Sequence, residues 1–98
     1  MRVRVRPINL RGQPLRKDER LEREVYEGRL ALQEVRINDF GRALTRARVT
    51  DLLEGNEKVM LELLDAVVIW IGEQSMRIRG FETVAGVQYG QTWDVEIV

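Results

Sequence analysis

The run Val87-Gln88-Tyr89-Gly90-Gln91-Thr92-Trp93-Asp94-Val95-Glu96-Ile97 decides the fold. Val87, Tyr89, Gln91, Trp93, Val95 and Ile97 share one face, and Gln88, Gly90, Thr92, Asp94 and Glu96 share the other. This is the period of two expected of a strand with one buried side. Gln91 alone departs from the apolar stripe. Just upstream, Met76, Ile78 and Gly80 alternate with Arg77, Arg79 and Phe81. Before them stands the apolar, β-branched run Ala66-Val67-Val68-Ile69-Trp70-Ile71. With turns at Glu73-Gln74-Ser75 and Val84-Ala85-Gly86, residues 66–98 read as a three-stranded antiparallel meander that carries most of the core. Val68 and Trp70 oppose Val67, Ile69 and Ile71, so both faces of the first strand are apolar. Such a strand is buried centrally or covered by a partner, and burial within the chain is the preferred reading.

Moving back toward the N-terminus, the pattern is less regular. Met60, Leu63, Leu64, Val67 and Val68 keep the i, i+3, i+4 rule, and Asn56 is a possible cap, so a short helix is expected over residues 57–65. Arg42 to Leu53 alternates as a strand, with Ala43, Thr45, Ala47 and Val49 inward and Leu44, Arg46, Arg48 and Thr50 outward. Residues 16–37 admit two readings. As a helix, Leu21, Val25, Gly28, Leu32 and Val35 are heptad-like, Asp18 can cap and Glu19 can pair with Arg23, but Gly28 costs about 1 kcal/mol. As a strand, Tyr26, Gly28, Leu30 and Leu32 share a face, and a slip at Gln33 lets Val35 and Ile37 continue it, as a bulge would. The strand reading is preferred, from about Glu24 to Ile37 after a charged or helical turn over residues 16–22, because it runs directly into the hairpin sequence Asn38-Asp39-Phe40-Gly41. Arg2-Val3-Arg4-Val5-Arg6 is a strand with its valines inward. Its arginine row and Pro7 mark it as an edge strand guarded against pairing.

Composition narrows the function. The 98 residues, 44% of them hydrophobic, suit one domain with a single core. There is no cysteine and no histidine. Disulfides, thiolate and ordinary zinc sites, Cys-His and Ser-His nucleophile pairs and histidine bases are therefore excluded. No phosphate loop, dinucleotide fingerprint or EF-hand spacing occurs. Carboxylate pairs remain formally available, but Asp39 beside Phe40 and Asp94 beside Trp93 read as turn and outward residues. No catalytic residue, metal or cofactor is expected. The apolar run of residues 66–71 is far too short to span a bilayer, and the N-terminus lacks the apolar segment of a signal peptide, so a cytoplasmic, membrane-free protein is expected.

Sixteen basic and sixteen acidic residues give formal neutrality, yet residues 1–20 hold seven basic and two acidic groups. Arg77, Arg79 and Phe81 project together from one strand, the basic and aromatic combination that single-strand-binding sheets use. Arg2, Arg4 and Arg6, with Arg46 and Arg48, extend such a face if the fold brings the rows alongside. The C-terminal strand, with nothing after it, offers an edge for a second copy.

Met76-Arg77-Ile78-Arg79-Gly80-Phe81-Glu82, followed by Tyr89-Gly90-Gln91-Thr92-Trp93-Asp94-Val95, resembles a segment of small uncharacterised bacterial and prophage-type proteins. The resemblance covers the last third of the chain. It implies a bacterial or phage origin and brings no catalytic residues.

The expected fold is a mainly β single domain of about six strands, either a small barrel or a two-layer antiparallel sandwich, with at most one short helix. The expected function is a non-catalytic interaction module that forms homo-oligomers, a dimer first, and meets an anionic partner through its arginine faces. The alternatives are a weak single-stranded nucleic-acid binder and a purely structural or assembly protein.

Overall fold

The alternation read in the sequence becomes six antiparallel strands. The computed structural model describes residues 2–9, 11–13, 25–53 and 55–98. Its strands are β1 (Arg2–Ile8), β2 (Tyr26–Ile37), β3 (Ala43–Leu53), β4 (Asn56–Ile71), β5 (Ser75–Val84) and β6 (Val87–Ile97), with no helix among the described residues. Each strand pairs with the next, and β1 also pairs with β6, from Val3 opposite Ile97 to Ile8 opposite Thr92. The sheet therefore closes on itself in the order β1-β2-β3-β4-β5-β6, which decides for the barrel over the sandwich.

The interior is filled by side chains from around the ring. Val3, Val5, Ala47, Val49, Leu61, Leu63, Ala66, Ile78, Trp93 and Val95 form one buried cluster, with Tyr26, Leu30, Val68 and Met76 packed against it. Residues 66–98 were expected to carry most of this core. They supply only part of it, because closure turns the valines and leucines of β1, β3 and β4 onto the same axis. Full burial of a side chain as large as Leu63 or Ile78 stabilises the fold by roughly 1.5–3 kcal/mol. Trp93 is wholly buried at the centre, with the Tyr26 ring 6.0 Å away and tilted by 42°. Gln91, the polar member of the β6 stripe, is buried too. Its Nε2 donates to the carbonyl oxygens of Ile8 and Thr92, each at 2.9 Å, so the exception to the apolar pattern fastens β6 to β1.

Closure corrects two expectations. β1 is not an edge strand, since it lies between β2 and β6. Among the described residues its ladder to β2 runs as far as Val5 opposite Tyr26, so Pro7 has no described β2 partner that would need its N–H. The edge of β6 expected to be free is taken by β1.

The helix expected over residues 57–65 is also overturned, because these residues belong to β4. Inward residues of β4 run Leu61, Leu63, Ala66 and Val68. The skip between Leu63 and Ala66 is a bulge at Asp65, whose φ is +48°, and it shifts the register against both β3 and β5. A strand with an inserted residue mimics the i, i+3 spacing of a helix. In β2 the expected slip is real: the register shifts between Glu34 and Arg36, just past Gln33. The turn expected over residues 16–22 lies outside the described residues.

Beyond these bulges the β2–β3 hairpin leaves the ring as an arm. β2 parts from β1 after Arg29, and β3 parts from β4 before Thr45. At its tip Asn38 Oδ1 accepts from the backbone N–H of Phe40 and of Arg42, each at 3.0 Å, and Gly41 takes φ +76°. The arm also departs from the expected parity of β3. Leu44, assigned outward, is buried, and Ala43, assigned inward, is exposed, because β3 there no longer follows β4.

Gly28 marks the closest approach of backbone inside the ring. A Cβ at this position would stand 2.4 Å from the Thr50 carbonyl oxygen. Gly28→Ala is expected to destabilise the protein by about 1–3 kcal/mol, read as a lower urea midpoint at unchanged m-value.

Candidate functional site

The ring sets the outward-facing charges in a fixed order. Arg2, Arg4 and Arg6 lie on β1, Arg46 and Arg48 on β3, and Arg77 and Arg79 on β5. Between them stand β2, β4 and β6, which present Glu27, Glu62 and the pair Asp94 and Glu96. Cross-strand pairs follow. Arg2 and Arg4 share Glu27 at 3.6 and 3.8 Å, Arg6 meets Glu96 at 3.7 Å, Arg48 meets Glu62 and Arg77 meets Asp94 at 3.9 Å. Exposed pairs of this kind each contribute about 0–1 kcal/mol. They also place a carboxylate between each two of the three arginine rows expected to extend one basic face, although on β2 Arg29 stands directly opposite Arg2.

Arg77 is further committed to structure. Its guanidinium lies 5.7 Å from the centroid of the Trp70 ring, and a Cβ on Gly12 would stand 2.8 Å from its Nη1, so the loop after β1 lies against it. Arg46 is half-buried, and its Nε has no hydrogen-bond partner among the described residues.

Two of the expected residues, Arg79 and Phe81, do come together, and they meet others that sequence reasoning passed over. With Asn38, Phe40 and Arg42 from the arm and Asp65, Val67 and Ile69 from β4, they line a cleft of about 380 Å³. The cleft exists because the arm parts from β4 at the Asp65 bulge and is then tied back across β3. The tie is the Arg36 guanidinium, whose Nη2 lies 3.4 Å from Asp65 Oδ1. Arg79 Nη1 donates to Thr92 Oγ1 at 3.1 Å, and the absence of a side chain at Gly90 leaves room for its other nitrogen. Phe40 is 90% exposed at the arm tip. Its place in the turn Asn38-Asp39-Phe40-Gly41 was the available signal, since an aromatic ring in a tight turn has no strand face to hide on.

The same end of the ring is apolar. Ile69, Trp70 and Ile71 are exposed, Ile71 by 72%, which corrects the expectation that this strand is buried on both faces within the chain. Past Ala66, β4 is paired with β5 alone among the described residues. The physical reason is again the departure of the β2–β3 arm, which removes the neighbour that would have covered it.

Elsewhere, Glu62 and Glu82 share a hollow of about 220 Å³. Arg48 engages Glu62, and Glu82 is also engaged, so neither carboxylate stands free for proton transfer. Among the described residues no group of three acidic side chains is placed to hold a metal ion, and no helix is long and apolar enough to cross a membrane. Neither a family model, nor a curated protein, nor a solved structure matches the chain.

The partners of Arg77 make its removal a test of its structural role. Arg77→Ala is expected to cost about 1 kcal/mol of stability through the lost ion pair and ring contact. Quenching of tryptophan emission by acrylamide is expected to rise as Trp70 loses its cover, with buried Trp93 unchanged.

Proposed function

We propose that this protein is a non-catalytic interaction module that associates with further copies of itself through the apolar end of the ring. The observation that carries this reading is the exposed run Ile69-Trp70-Ile71, which lies on the stretch of β4 past Ala66 that pairs with β5 alone among the described residues, at the same end as exposed Ile37 and Phe40. Burying the exposed half of a residue such as Trp70 is worth about 2 kcal/mol, so a few such residues are enough to drive association. A formal net charge of zero leaves no long-range repulsion between copies. A cytoplasmic setting goes with this reading, since a chain without cysteine gains nothing from an oxidising compartment.

The alternative of a single-stranded nucleic-acid binder has narrower support. The arginine rows do not join into a groove, and the basic and aromatic combination survives only where Arg79 and Phe81 meet the arm.

Sedimentation velocity from micromolar to millimolar protein tests self-association. The mass is expected to rise from one chain toward two or more with concentration, and Ile71→Asp is expected to move that rise to at least about tenfold higher concentration. Val87→Asp, an equally drastic change at the opposite end of the ring, is expected to leave it in place. A single-chain mass at every concentration overturns the reading.

A further inference from the structure

We infer that the cleft between the arm and the outer face of β4 and β5 is a binding site for an amphipathic organic anion, one acidic group on an aromatic body. This goes beyond the self-association reading and does not depend on it.

The electrostatics of the lining point to an anion. Arg42 and Arg79 both face the cleft, and neither has a carboxylate partner among the described residues. The one acidic side chain in the lining, Asp65, is already engaged by Arg36 from outside it. Among the described residues the cleft thus holds two guanidinium groups without a carboxylate partner and one carboxylate whose charge is answered elsewhere. The arginines of β1, Arg48 of β3 and Arg77 of β5, by contrast, each meet an acidic residue on the neighbouring strand.

The remaining walls select the body of the ligand. Phe40, Phe81, Val67 and Ile69 supply two rings and two branched aliphatic chains, an environment for a flat apolar group rather than for a bare inorganic ion. A volume of about 380 Å³ is at the small end of ligand sites and suits a body of about one or two rings. It does not suit a long polymer track, because the basic rows that would continue one lie across acidic strands.

The site is also prepared in advance. Arg79 is steadied by Thr92 Oγ1 and lies against the bare backbone of Gly90, so its fork is oriented before any ligand arrives. The Arg36–Asp65 tie holds the arm, and with it Phe40 and Arg42, over the strands. Arg42 and Arg79 are binding residues in this scheme, and Thr92 is a positioning residue.

The test uses the full chain and a fluorescent probe of this class, 1-anilinonaphthalene-8-sulfonate, beside its uncharged analogue N-phenyl-1-naphthylamine. Saturable binding of the sulfonate is expected, weaker for the neutral analogue and weakened by added salt. Arg42→Gln and Arg79→Gln are each expected to weaken it about tenfold. Phe40→Ala is expected to weaken both probes, and Thr92→Val to weaken the sulfonate several-fold while sparing the neutral analogue. Arg48→Gln, on another face, is expected to leave binding unchanged. Equal binding of the charged and neutral probes, or sulfonate binding indifferent to both arginine variants, overturns the inference. So does an oligonucleotide that binds through the same arginines and is not displaced by the sulfonate, since the cleft would then belong to a nucleic-acid surface.

Discussion

The pairing of β1 with β6 is the constraint on which the rest of this structure depends. It joins residues near opposite ends of the chain and turns a meander, which would have two open edges, into a ring with one interior. Only then do the valines of β1, Ala47 and Val49 of β3 and Trp93 of β6 face a common axis. The Gln91 amide shows how closely side chain and closure are matched. A polar group placed in the core would be costly if unpaired, and it is instead satisfied by the Ile8 carbonyl across the joint.

Closure has an electrostatic counterpart. Arginines dominate the outward faces of β1, β3 and β5, and carboxylates stand on the strands between, so each basic row meets acidic neighbours. The individual pairs are weak in stability terms, but like charges directly opposite one another oppose pairing, and this order limits them: Arg2 does face Arg29 across the β1–β2 joint, with Glu27 beside it to answer the charge. It also engages much of the positive surface. Among the described cations without a carboxylate partner, Arg42 and Arg79 are the two that line one cleft, and that cleft lies where the arm departs from the sheet.

Much of this was legible in the sequence, and the failures are instructive. The strict alternation in β5 and β6 placed Ile78, Gln91, Trp93 and Val95 inward and Arg77, Arg79 and Phe81 outward, as observed. The bulge in β2 showed as a slip of parity near Gln33. Residues 57–65 misled because a bulged strand and an amphipathic helix share an i, i+3 spacing, and only tertiary pairing tells them apart. The neighbours of β1 and β6 were not legible, since which edges meet is a property of the whole ring. The cleft was half legible: Arg79 and Phe81 lie two residues apart on one strand face, whereas Phe40 and Arg42 reach them only through the arm.

The ring is not equally strong all round. Among the described residues β1 is matched to β6 over six residue pairs and to β2 over four, from Arg2 opposite Arg29 to Val5 opposite Tyr26. Local opening is therefore expected first at the β1–β2 joint, with β1 staying attached to β6 and the inner face of β2 exposed. Arg2 and Arg4 both reach for Glu27 across that joint. A row that began as a candidate nucleic-acid contact thus serves as the latch on the weakest part of the wall, and amide exchange in Tyr26 to Arg29 will report how often it opens.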